Sequence, residues 1–377
     1  MFVYTSLLFF VLFCLRGLRY NVDSIVDGTE LLMTFLVHRH GERTPVTSFL
    51  RLSDNIQELK KASAKYGYGQ LTNAGKRSAY QLGQFIRRRY NELLSPTYNR
   101  SEIYIRSTDF TRAKMTVLTA LAAVYPATGD NWSTEINWTP IPYTTLPAKY
   151  DFNLAIVNCP KFRESFYRSK LTSSVPELEV YADILENWSN ILGYDISTEP
   201  LVIPYALNDL YTCQISLGVP LEDGIADIIS EIEQVAAIAL KAMLDSDVMR
   251  ALSAGVLLNQ FFIAADKIIS GQEVPRVHIY SAHDLNVFAL EAATKVVNTQ
   301  GVPKYASAYA LELRKMPVYL NTPQEEVITY LEIEGCGQRC AYESFRTTTS
   351  SYSLKENEWR AECGFSNDMD FDTSIID

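Results

Sequence analysis

Arg39, His40 and Arg43 stand together in the segment RHGERTP, directly behind the apolar run Leu31 to Val37. Arg106 closes a second short run in which Ile103 and Ile105 alternate, and His283 with Asp284 follow a third, Val277 to Tyr280. Each run has the length and pattern of a buried strand, so the polar groups fall at strand ends. In alternating α/β proteins ligands bind in the crevice at the carboxyl ends of the strands. Three guanidinium groups and two imidazoles converging there would suit a compact, multiply charged anion such as a phosphoryl group.

The elements that must position these residues can be followed along the chain. Thr72 can cap a helix whose Ala79, Leu82, Phe85, Ile86 and Leu93 recur at helical spacing. Thr108 or Asp109 can cap a second, which Pro126 stops. From Ala127 to Pro160 the sequence is rich in proline and aromatic residues with little period, as in a long connection leaving one domain. The next hundred residues carry helical periodicity: Ile225, Ile228, Ile229, Ile232 and Val235, then Leu252, Val256, Phe261 and Ile268 before Gly271. After the strand at Val277 the segments YASAYALELR, VYLN and EEVITYLEIE are extended, which predicts antiparallel strands at a sheet edge.

Composition narrows the class. The 377 residues are 47% apolar and 21% charged with 17 Gly and 15 Pro, which excludes a disordered or collagen-like chain. The formal charge of −10 repels a phosphate backbone, so no nucleic-acid partner is expected. The run FVYTSLLFFVLFCL near the N-terminus is too short to span a membrane and predicts a secretory signal over 1–19. The tail 366–377 is acidic, so no membrane anchor is expected in the mature, extracellular protein. Sequons at Asn99, Asn131, Asn137 and Asn187 are candidate glycosylation sites.

RHGERTP, YIRSTD (Tyr104 to Asp109) and YSAHD (Tyr280 to Asp284) resemble the signature segments of the histidine acid phosphatases, and YGQLTNAG, WTPIP and NCPKF extend the likeness over most of residues 29 to 365. The resemblance implies a Rossmann-like mixed α/β sheet flanked by helices, with a smaller, mainly helical inserted domain. The expected divisions are 20–135 with 262–365 for the catalytic domain and 136–261 for the insertion. It further implies hydrolysis of phosphate monoesters with no cofactor: His40 as nucleophile, Arg39, Arg43, Arg106 and His283 as phosphate ligands, Asp284 as proton donor, and a homodimer.

The chemistry of these side chains fits those roles. A nucleophilic imidazole must present an unprotonated nitrogen, and neighbouring guanidinium charges disfavour imidazolium. Preorganised Arg donors can stabilise the charge spread over three phosphoryl oxygens. An aspartic acid can donate a proton only while it holds one, which favours acidic operation.

Other constellations are weaker. His38, His40, His283 and Asp284 could form a metal site, but the three arginines oppose a cation, and His38 and His278 read as packing histidines. Cys340 to Arg346 has the C-x5-R spacing of cysteine phosphatases, yet carries Glu343 and Phe345 where an anion loop needs glycine. Ser281, His283 and Asp284 are too close in sequence for a triad. Asp368 and Asp370 lie in the acidic tail, and Gly75-Lys76 lacks the Ser or Thr of a nucleotide loop. Phytases and lysophospholipid phosphatases share the core signature, so the substrate stays open, as does a secreted binding protein that keeps the fold without turnover.

In an oxidising compartment the cysteines should pair. Cys336 and Cys340, four apart, should bridge locally, and the family pattern joins Cys159 to Cys363. A further family bridge from the position of Cys213 would need a cysteine where this chain has Ala308, in YASA. Cys213 is therefore expected to be a buried thiol unless it links two chains.

Overall fold

The computed structural model describes residues 6–13, 29–127, 132–164, 176–315 and 328–369. One mixed sheet organises them. Its strands are β1 (Ser6–Phe13), β2 (Glu30–Arg39), β3 (Ile103–Ser107), β4 (Thr144–Thr145), β5 (Val277–Ala282), β6 (Ala308–Lys315), β7 (Ile328–Tyr330) and β8 (Arg339–Ala341). The order is β4-β3-β5-β2-β6-β1-β7, with β8 also paired to β1. β3, β5 and β2 run parallel, in a register that sets Arg39 opposite Ala282 and Arg106 opposite Tyr280. Their carboxyl ends therefore open on one edge. β6 returns antiparallel to β2, as the extended pattern after residue 305 predicts. The segment VYLN lies outside the described residues.

Strand alternation feeds two apolar layers. Leu31 and Leu36 of β2, Ile103 and Ile105 of β3, and Ile279 of β5 pack against the helices Asn73–Arg89 and Thr111–Val124 through Leu82, Phe85, Val117 and Leu121. Met33, Phe35 and Val37 point to the opposite face and join Leu257, Phe261 and Phe288, from the helices Asp247–Ile269 and Asp284–Ala293. Thr72 caps the first of these helices, accepting from the Gly75 amide at 3.1 Å. The second begins one residue later than a cap at Asp109 would set it, and two later than one at Thr108. Phe110 is the cap and Thr111 the first helical residue, because Thr108 is held by the Ser281 carbonyl and still continues the strand end.

The helical region contributes Ala182–Leu192, Val202–Ser216, Ile225–Met243 and Asp247–Ile269. The last of these runs continuously through the expected boundary at 261/262. Among the described residues it alone is long and apolar enough to cross a membrane, yet Leu252, Val256 and Phe261 bury it in the core. Ser6–Phe13, inside the expected signal segment, lies along β6 as a strand, with Leu8 opposite Leu313 and Val11 opposite Ala310.

Candidate active site

The three parallel strand ends are tied together by main-chain hydrogen bonds. The His40 amide donates to the Ala282 carbonyl at 3.1 Å, Thr108 to Ser281 at 3.0 Å, and Ala306 to the His40 carbonyl at 3.0 Å. These bonds set His40, at the end of β2, against His283, which immediately follows β5. Gly41 permits the close approach of the Gly75 backbone behind them, with which a Cβ would collide.

A cavity of about 320 Å³ opens on this edge, lined at its base by His40, Arg43, Arg112, His283 and Asp284. The His40 Nδ1 lies 2.9 Å from the Gly41 carbonyl oxygen. A carbonyl can only accept, so Nδ1 carries the proton and Nε2 is left with its lone pair. Burial holds the His40 pKa well below the usual histidine range, and the charges of Arg112, Arg43 and Arg39 press it down further. His283 is depressed in the same way, by burial first and then by Arg112. It sits edge-on to His40 with ring centres 5.5 Å apart, and its Nε2 is 3.0 Å from the Thr108 hydroxyl.

Of the four arginines concerned, Arg106 departs from its expected place. The cavity lining, among the described residues, includes Arg112 and omits Arg106. Arg106 donates to Asp151 at 2.7 Å and lies over the Phe152 ring at 4.2 Å. The placement of Arg106 has a simple geometric origin. Alternation along β3 sends Ile103 and Ile105 to one apolar layer and Arg106 to the other face. Arg112, in the first turn of the helix that follows, is carried to the strand-end crevice instead. A cation in the opening turn of a helix that starts at this edge was the available sequence signal.

Two further residues come from the helical region, whose side-chain positions sequence pattern does not reveal. Asp209 accepts from Arg43 through both carboxylate oxygens at 2.9 Å and from Arg39 at 3.2 Å, fixing both guanidinium groups. Tyr205 hydrogen-bonds Asp284. Asp284 is also 2.8 Å from Arg39 and accepts the Leu285 amide at 2.8 Å. Arg39 donates to the Pro303 carbonyl and lies over the Tyr305 ring, so it touches Asp284 without forming the cavity wall.

The remaining histidines stand apart from this cluster. His38 is fully buried, with its Nδ1 on the Arg39 carbonyl, and His278 stacks on Phe35; burial lowers each to about 4. All four histidines of the chain are thus depressed, and the sign of the consequence is fixed. Above about pH 6.5 they are neutral folded or unfolded; below it only the unfolded chain takes up the protons, so stability falls as pH drops towards 4. His38 alone should account for about 3 kcal/mol by pH 4. Denaturant unfolding of His38→Leu should show a flatter loss between pH 7 and 4.5, and a loss as steep as that of the parent protein would refute the assignment.

Cysteines Cys159 and Cys363 are bonded to each other, as are Cys336 and Cys340, and Cys213 is a buried thiol. Its Sγ accepts from Arg43 at 3.3 Å and lies 3.1 Å from the Tyr305 hydroxyl; burial pushes its pKa up to about 11. Denatured, unreduced protein lacking residues 1–19 should take up one maleimide per chain, at Cys213, and the native protein none. Zero uptake after denaturation, with a monomeric band, would overturn this pairing. Asn99, Asn137 and Asn187 are exposed, and Asn131 lies outside the described residues.

A parallel strand edge that gathers two neutral imidazoles, a ring of guanidinium groups and a carboxyl group defines an α/β enzyme for anionic esters. The family comparison gives that class its name: residues 30–316 match the histidine phosphatase superfamily, branch 2. The chain belongs to this superfamily and is a phosphatase. It is similar to prostatic acid phosphatase of Bos taurus, 29% identical over 92% of this chain and 91% of the relative. Lysosomal acid phosphatase of Rattus norvegicus is 27% identical over 96% and 86%. Among solved structures, the phytase of Klebsiella sp. ASR1 shares the fold with a TM-score of 0.61 at 14% identity, over 87% of this chain and 97% of that one.

Proposed function

We propose that this chain is an exported acid phosphatase that hydrolyses phosphate monoesters through a phosphohistidine. The observation that carries the reading is the fixed tautomer of His40: its Nδ1–H is held by Gly41, and its free Nε2 belongs to the residue group formed with Arg43, Arg112 and His283. Nε2 attacks phosphorus, and the bond from phosphorus to the ester oxygen breaks. Asp284 delivers its proton to the departing alkoxide. Water then attacks the phosphohistidine, the Asp284 carboxylate takes the proton from that water, and inorganic phosphate leaves with His40 neutral again. Arg43, Arg112 and His283 bear on the phosphoryl oxygens throughout; Arg39 and Tyr205 hold the carboxyl group of Asp284.

Export is supported by the apolar run at 2–15, by the two disulfides and by exposed sequons at Asn99, Asn137 and Asn187. Removal of residues 1–19 would take β1 with it and free one edge of β6.

The reaction is tested by the leaving group. Asp284→Asn should reduce turnover of an alkyl phosphate by about 10² to 10⁴, and of a nitrophenyl ester far less, because nitrophenolate departs without a proton. Equal losses, with phosphoenzyme formation limiting both rates, would remove the general acid. EDTA should leave both rates unchanged, and a loss restored by zinc would overturn the phosphohistidine route.

A further inference from the structure

Above the phosphate-binding base the cavity changes character. Its walls are Phe49 and Leu52 from the segment after RHGERTP, Val202 and Ile203 from the Val202–Ser216 helix, Met243, and Leu285 beside Asp284. Charge is sparse there. Apart from the residues at the base and Asp209, the lining contains one cation, Arg51, and one carboxylate, Glu199, among the described residues. Arg51 is exposed at the rim, with its guanidinium 5.2 Å from the Tyr194 ring.

A leaving group that carries several more phosphates would have to desolvate them against these apolar side chains. One cation, Arg51, would be available to them, and the same lining carries a carboxylate, Glu199. Buried charges need partners, and this wall supplies too few. A chain of methylene groups has the opposite balance, since every carbon that enters removes apolar surface of both wall and ligand from water.

We infer that the wall formed by Phe49, Leu52, Ile203 and Met243 is a subsite for an alkyl chain, so that the favoured substrate is a single phosphate ester on an apolar alcohol. The inference rests on the phosphatase reading above and deepens it. The chain is in place before and during phosphoryl transfer, so its burial strengthens substrate and transition state alike. The preference belongs in KM, with kcat nearly constant.

The experiment uses the enzyme with n-alkyl phosphates from methyl to hexyl, below micelle formation, alongside glycerol phosphate and inositol hexakisphosphate. KM should fall by about fourfold per methylene over the first few additions. Glycerol phosphate should behave as a short ester, and the hexakisphosphate should be turned over at least about 100-fold less efficiently than hexyl phosphate. Phe49 is half-buried, lines the cavity and packs on the edge of the core, so the comparison is made between two esters within one variant. Phe49→Ser should raise KM for hexyl phosphate about tenfold more than for methyl phosphate. A KM independent of chain length, or a hexakisphosphate handled as well as hexyl phosphate, would overturn the subsite while leaving the phosphatase intact. Failure to turn over any ester, p-nitrophenyl phosphate included, would overturn the phosphatase reading and the subsite with it.

Discussion

His40→Ala is expected to lower kcat for p-nitrophenyl phosphate on the order of 10⁴-fold or more, because no other side chain at the cavity base can form the covalent intermediate. Arg43 and Arg112 carry guanidinium groups, which do not deprotonate in proteins; His283 is engaged with Thr108, and Asp284 is committed to Arg39. The fold should survive the change. His40 contributes a buried imidazole that disfavours the native state in acid, so its loss should leave the pH 5 melting temperature level or raised. Phosphohistidine survives base and is lost in acid, so rapid quenching of turnover into alkali should place label on a peptide containing His40. Label on Cys340 or on an aspartate, or more than about 1% of the parent rate in the alanine variant, would defeat the mechanism.

How far the sequence could be read follows from how local each cause was. The strand ends were legible because a short apolar run followed by charged and glycine residues carries its own signal: Arg39 and His40 do emerge from β2, and His283 from β5. The Thr72 cap is equally local, since its hydroxyl reaches an amide three residues on. Asp209 and Tyr205 were hidden for the opposite reason. They reach Arg43 and Asp284 from a helix more than 100 residues beyond His40 in sequence, and helical periodicity says which face is apolar without saying which strand end it meets. The N-terminal run shows a third case. An apolar segment of that length satisfies both an export signal and a strand beside β6, and composition alone does not separate them.

Arg106 and Arg112 are six residues apart and chemically identical, which makes them the sharpest test of what structure adds to sequence. Arg112 is the strongest of the charges disfavouring imidazolium at both His40 and His283, and it lines the cavity. Arg106 is engaged by Asp151, a carboxylate with no exposure, whose second oxygen has no hydrogen-bond partner among the described residues. Arg112→Ala should therefore cost about 10² to 10³ in kcat/KM through weaker stabilisation of the phosphoryl oxygens, with little change in denaturant midpoint. Arg106→Ala should do the reverse, because it leaves Asp151 buried without its cation: a loss of about 3 to 5 kcal/mol in stability, with kcat per folded molecule within about tenfold of the parent. Arg106→Ala with Asp151→Ala together should recover part of that stability, since removing both charges leaves nothing uncompensated. Kinetics on the folded fraction and chemical unfolding decide the matter in one set of variants. If Arg106→Ala were the inactive, stable protein and Arg112→Ala the unstable, active one, the roles given to the two arginines would have to be exchanged.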